Sequence, residues 1–137
     1  MKKIISLICL SIFVNSCAWF DESEHQKIIG QYEIGWNDLE SNRAITKKIG
    51  NSESNSNIII GCYVFAVGHN ESFIIAKQRQ NFNTETNYYL IDIKKNEEDN
   101  SKGILGPLNE VEFEKIKTKF NIENLKFDLI FADEQFK

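Results

Sequence analysis

Ile58-Ile-Ile-Gly-Cys-Tyr-Val-Phe-Ala-Val67 is apolar on both alternating faces, interrupted only by Gly61. That pattern predicts a central β-strand covered on each side. Gly68-His69-Asn70-Glu71 then reads as a tight connection into a second strand, Ser72 to Gln80, apolar at Phe73, Ile74 and Ile75 and charged at Lys77 and Arg79. After polar residues 80–87, Tyr88 to Lys95 predicts a further strand, and Asn96 to Gly103 an acidic loop. Upstream, Ile28, Tyr32, Ile34 and Trp36 share one alternating face and predict a strand over Ile28–Trp36. Asn37-Asp38 and Ser41-Asn42 mark a turn. Arg43 to Ile49 predicts a weaker strand, with Ile45 and Ile49 on one side, and Gly50 to Asn57 a polar loop.

One helix is signposted near the C-terminus. Asn109 is a good N-cap and Glu112 sits three residues on, an Asn-x-x-Glu form of the capping box. Leu108 and Phe113 fit a hydrophobic staple, and Phe113, Ile116 and Phe120 form a narrow apolar stripe. Leu125, Phe127, Leu129 and Phe131 alternate as in a half-buried last strand. The fold class expected is α+β: an antiparallel β-meander of about five to six strands with one C-terminal helix packed on the sheet, in two layers.

The first residues point to the compartment. Met1-Lys2-Lys3 is a short positive region, and Ile4 to Val14 is an unbroken apolar run. Spanning a bilayer as a helix takes roughly 20 apolar residues, so this run has the length of a secretory leader. Val14-Asn15-Ser16-Cys17 resembles a bacterial lipobox. That resemblance implies cleavage before Cys17, acylation of its sulfur and attachment to a bacterial membrane in the cell envelope. The expected organisation is a signal peptide over 1–16, a tether over 17–26 and one globular domain over 27–137. Removing Lys2 and Lys3 with the leader leaves 14 basic and 20 acidic side chains, a net charge of −6 against −4 for the whole chain. That sign disfavours nucleic acid and anionic lipid as partners. The expected partners are the bilayer, through acylated Cys17, and a protein of the envelope.

Of three cysteines, Cys9 leaves with the leader and Cys17 takes the lipid, so Cys62 has no intramolecular partner and is expected to pack as a small hydrophobe.

Catalytic patterns are missing. His25 lies in the tether and His69 in a turn, with no His-x-x-x-His or Cys-x-x-Cys spacing for a metal. There is no Gly-x-Ser-x-Gly, and the glycines are scattered singly, which excludes a phosphate-cradling loop. Glu97-Glu98-Asp99 lacks the ligand ladder of a calcium loop. No cofactor is expected. The one polar surface worth singling out is Lys77, Arg79 and Asp92: if their strands pair, Asp92 faces a base across the ladder, as an ion pair or as a small anion- or peptide-recognition spot.

The order of features resembles a family of small bacterial lipoproteins, DUF3997. The strand ending near Trp36, the pair Ser72–Gln78 and Asn87–Asp92, and the helix start Gly106-Pro107-Leu108-x-x-x-Glu112-Phe113 carry the likeness, over roughly Tyr32 to Ile122. It implies location and fold and supplies no catalytic residues. The function expected is therefore a non-enzymatic, membrane-anchored lipoprotein with a binding or structural role. The alternatives are an inhibitor or immunity protein that neutralises a basic toxin or lysozyme, and a small hydrolase or ligand carrier.

Overall fold

A computed structural model describes residues 23–51, 55–79 and 85–131. The leader, Cys17 and most of the expected tether lie outside the described residues. The strands form two antiparallel sheets in succession. The first has the order β1 (Glu24–Ile29), β2 (Tyr32–Trp36), β3 (Ala44–Lys48), β4 (Ser56–Ile60). The second is built on β5 (Val64–His69), β6 (Phe73–Gln78), β7 (Asn87–Asp92) and β8 (Ile104–Leu108), with β9 (Leu129–Ile130) returning to the free side of β5. Among the described residues there are two α-helices, α1 (Ile93–Glu98) and α2 (Glu110–Lys119), and a short 3-10 turn at Glu40–Asn42.

The architecture is thus mixed α+β with a β-dominated core and two sheets, where the sequence predicts a single meander. The difference arises in the stretch from Ile58 to Val67. The chain does not run through it as one strand: β4 ends at Ile60, Tyr63 takes a positive φ of 72°, and β5 starts at Val64 in the other sheet. Gln78 holds this corner, its Nε2 donating to the carbonyls of Cys62 (2.9 Å) and Gly61 (3.3 Å). An uninterrupted apolar run fits two strands of facing sheets as well as one strand covered twice, so periodicity alone does not separate them. The corner turns Cys62 outward, and the thiol is exposed instead of packed.

A second divided strand lies at Ile28–Trp36. Gly30 (φ +56°) and Gln31 form a two-residue hairpin connection that sets Ile29 against Tyr32. Glycine leads because the first central position needs a positive φ. Ile28 and Tyr32 are an even number of residues apart, so the alternation runs through the turn without a visible break. Glu24–Gln26, expected in the tether, pair with Ile34–Trp36 as part of β1.

The central sheet is covered on both faces. On one, Ile74, Ala76 and Ile91 meet Tyr32, Ile34 and Ile45 of the first sheet. On the other, Ile75, Tyr88 and Leu90 meet Phe113 of α2 and Ile122. The molecule therefore has three layers, sheet, sheet and helix, where two were expected. The capping box of α2 forms as its sequence predicts, whereas Lys117, expected on the outer face, is buried. Asn109 Oδ1 accepts from Glu112 N (2.9 Å), and Glu112 Oε2 accepts from Asn109 N (3.0 Å). The chain crosses the sheet through α2, from β8 at one edge to β9 at the other.

Strand β7 stops at Asp92, before the expected Lys95, because Asp92 caps α1: its Oδ1 accepts from Lys95 N at 3.2 Å. Strand β8 was not expected, since Gly106 and Pro107 read as the prelude to a helix. At a sheet edge both residues are tolerated. The last expected strand shrinks to Leu129–Ile130. Leu125 and Phe127 pack on the helix side of the central sheet, whereas Leu129 and Phe131 pack on the other. The segment passes over the edge of β5 and cannot stay extended along it.

Candidate functional site: a groove at the end of the central sheet

The expected grouping of Lys77, Arg79 and Asp92 divides. Register places Lys77 opposite Tyr88 and Asp92 opposite Phe73. Asp92 therefore lies four residues along β7 from Tyr88, roughly 13 Å at 3.3 Å per residue. Its carboxylate pairs with Lys95 (3.3 Å) and caps α1. No cross-strand pair between Asp92 and either base forms.

Lys77 and Arg79 instead flank a groove of about 640 Å³ where β7, β8 and α2 converge. Asn87 and Tyr88 come from the start of β7, Pro107 and Leu108 from the end of β8, and Glu110 from the first turn of α2; Glu85 and Thr86 complete the wall. The pairing of Tyr88 with Leu108 fixes the floor. Tyr88 stacks on Phe113 (centroids 4.9 Å apart, planes at 27°), which locks its ring. Lys77 Nζ lies 5.4 Å from the Tyr88 ring and 4.6 Å from that of Phe127, so its stem covers apolar surface. Arg79 donates from Nη2 to Thr86 Oγ1 (2.9 Å), and its guanidinium lies over Phe65 at 5.2 Å.

The electrostatics of the groove show in Tyr88. Burial raises its phenol above the ordinary 10.0, and the Glu110 and Glu114 carboxylates push the same way while Arg79 opposes them. The phenol therefore stays neutral near pH 7. The groove is of mixed charge: the carboxylates of Glu85 and Glu110 and the amides of Asn87 and Asn109 line it, with Lys77 and Arg79 beside its Tyr88 and Thr86.

The remaining chemically interesting residues are dispersed. Cys62 and His69 flank opposite ends of β5, six residues that span roughly 17 Å, so they form no thiol–imidazole pair. His25 Nε2 contacts Asn37 Oδ1 at 3.1 Å. Asp99 is engaged locally: the Ser101 hydroxyl and backbone N–H donate to it and hold its carboxyl below the ordinary range, with Lys102 adding to the effect. Among the described residues no three His, Cys, Asp or Glu side chains come together to hold a metal. Tyr88 belongs to the helix-side core, and its neighbour Tyr89 turns to the other face, donating to Gln78 Oε1 at 3.0 Å.

One polar cluster has no precursor in the sequence reading. Asn96, fully buried on α1, accepts from the Tyr32 hydroxyl (2.8 Å) and donates to the carbonyls of Asn100 (3.0 Å) and Lys102 (2.8 Å). Lys47, 5% exposed, donates to the Asn96 carbonyl (2.6 Å) and to Asn100 Oδ1 (2.8 Å). Its polar groups pair with one another, so it reads as a clamp between the first sheet and the α1 region. The available signal was the phase of Lys47, two residues from Ile45 on a buried face.

Comparison with curated proteins and with solved structures gives no match. A family model does match, and it covers every strand from β2 to β9 together with both helices. Over residues 29–131, most of its length, the chain belongs to the family described as a protein of unknown function, DUF3997.

Proposed function

We propose that the protein is a bacterial lipoprotein, held at a membrane of the cell envelope by acylated Cys17, whose DUF3997 domain binds another macromolecule or plays a structural part there without catalysing a reaction. The observation that carries this is the leader: a basic start, an apolar run too short to span, and Val14-Asn15-Ser16-Cys17 at its end. Two or more acyl chains make such an anchor stable, at about 0.8 kcal/mol per buried methylene. The non-catalytic part is supported by the dispersal of Cys62, His25 and His69. Metabolic labelling with palmitate tests the anchor. Wild-type chain is expected to take the label and Cys17→Ser to lose it, and an intact Met1 on cytosolic material refutes the reading.

A second reading is favoured by the acidic surplus of the chain, 20 acidic against 16 basic side chains: the domain inhibits a basic protein, steered to it by charge. Lysozyme activity measured with and without the protein tests this. Glu85→Lys combined with Glu110→Lys abolishes the inhibition if the groove is the contact, and no inhibition by the wild type ends the proposal.

A further inference from the structure

Among the described residues the two sheets present four edges, and three are blunted in the ways proteins use to prevent strand addition. Strand β1 carries Glu24, His25 and Lys27; β8 carries Pro107, which has no N–H to offer; β9 is two residues long. Strand β4 has none of these three devices, and the bulge in its pairing with β3 falls at Ile59, after the regular stretch Ser56–Ile58. The strand reads Ser56-Asn57-Ile58-Ile59-Ile60, without charge, glycine or proline. Its Ile58 is 71% exposed, the highest value among the exposed large apolar side chains. No described strand pairs with its outer side.

The direction of its backbone groups follows from one bond. Ile49 N donates to the Asn55 carbonyl at 2.9 Å, which makes Ile49 and Asn55 a hydrogen-bonded pair of the β3–β4 ladder. Antiparallel pairs alternate, and the register sets Lys48 against Ser56, Lys47 against Asn57 and Thr46 against Ile58. Asn57 thus bonds back to β3, while the N–H and C=O of Ser56 and of Ile58 point away from it.

From this geometry we infer that β4 is a self-association edge, pairing antiparallel with β4 of a second copy about a two-fold axis at Asn57. In that register Ser56 of each copy faces Ile58 of the other. Each of these two pairs exchanges both of its hydrogen bonds, using only backbone groups already directed outward. Asn57 meets its own counterpart in the non-bonded pair on the axis. The two Ile58 side chains become diagonal neighbours on one face and cover each other. A second copy suits the edge because the pairing is self-complementary, and because a chain of net charge −4 repels its copies except where they meet on an uncharged strip. One short strand buries less than the roughly 800 Å² per partner of a standard interface, so the association is weak and concentration-dependent. This inference does not rest on the lipoprotein reading.

Disulfide trapping in the full chain with Cys62→Ser tests it. Across a non-bonded antiparallel pair the Cα atoms are about 4.5 Å apart, within the reach of a disulfide. Asn57→Cys is therefore expected to give a reducible dimer under mild oxidation, well above the yield from Lys27→Cys on the β1 edge. Ile58→Pro deletes an outward donor without touching a bond to β3, and is expected to weaken dimerisation about tenfold or more. If that variant melts below the parent, Ile58→Lys decides instead, since it places like charges side by side from an exposed position. Asn57→Cys cross-linking no better than Lys27→Cys overturns the inference. So does a dimer undiminished by the deciding Ile58 variant, or an adduct with a different protein.

Discussion

Asn96→Ala measures how much the clamp between the first sheet and α1 contributes to stability. Three hydrogen bonds disappear with the side chain. The Tyr32 hydroxyl, on a residue only 1% exposed, loses its acceptor in a place where water cannot replace it. Stranding a buried donor costs about 1–3 kcal/mol, and each of the two bonds to carbonyls contributes about 0.5–1.5 kcal/mol net. The carbonyls belong to exposed residues that water can partly satisfy, so a total of about 3–4 kcal/mol is expected, against the roughly 5–15 kcal/mol that holds a domain folded. At roughly 4 °C per kcal/mol for a domain of about 100 residues, the midpoint falls by about 12–16 °C. Urea unfolding followed by circular dichroism gives the free energy, and a double-mutant cycle with Tyr32→Phe apportions it. With phenylalanine at 32 there is no hydroxyl to strand, so the two losses should be less than additive by about 1–2 kcal/mol. A loss below about 1 kcal/mol for Asn96→Ala, or strict additivity in the cycle, refutes the reasoning.

Two further outcomes follow from local chemistry. Asn109→Ala removes the side-chain half of the capping box and is expected to cost about 1 kcal/mol, with Asn109→Gly costing less; thermal melts of the two variants check the order. The Tyr32 phenol is pushed up to about 12, first by burial and then by Glu97 and Asp92. The unfolded chain releases this proton near pH 10 and the folded one near 12. Between those values the unfolded state binds fewer protons, so the contribution is complete below pH 10 and fades as pH rises through the window. Urea midpoints taken from pH 9 to 12 should therefore decline, and less steeply in Tyr32→Phe.

Those parts of the fold that depend on neighbours in sequence were legible. Asn109 and Glu112 announce their helix because both capping bonds close within four residues. The β5–β6 connection is equally local: Asn70 Oδ1 accepts from the N–H groups of Ser72 and Phe73. What stayed hidden depends on partners far along the chain. Whether Ile58–Val67 is one strand or two is decided by Gln78 bonding to the corner carbonyls. Lys47 is buried because Asn96 and Asn100 receive its ammonium, and nothing near residue 47 foretells them. Of the candidate surface, Asp92 is not brought to Lys77 and Arg79, since strand alternation gives faces but no register, and the register sends Asp92 to cap α1.

The turn at Gly61–Tyr63 also bears on how the chain folds. Every strand from β1 to β4 pairs with its immediate predecessor or successor, and so do β5 to β8. Each half can therefore assemble by short-range hairpin closures before the halves meet, a regime in which entropy losses are small and rates high. Only β9 must search widely, since Leu129 seeks Val67 after the whole second sheet and α2 have been laid down. Its docking is the natural last event, and a chain truncated before Leu129 should still form both meanders with one flank of β5 left bare.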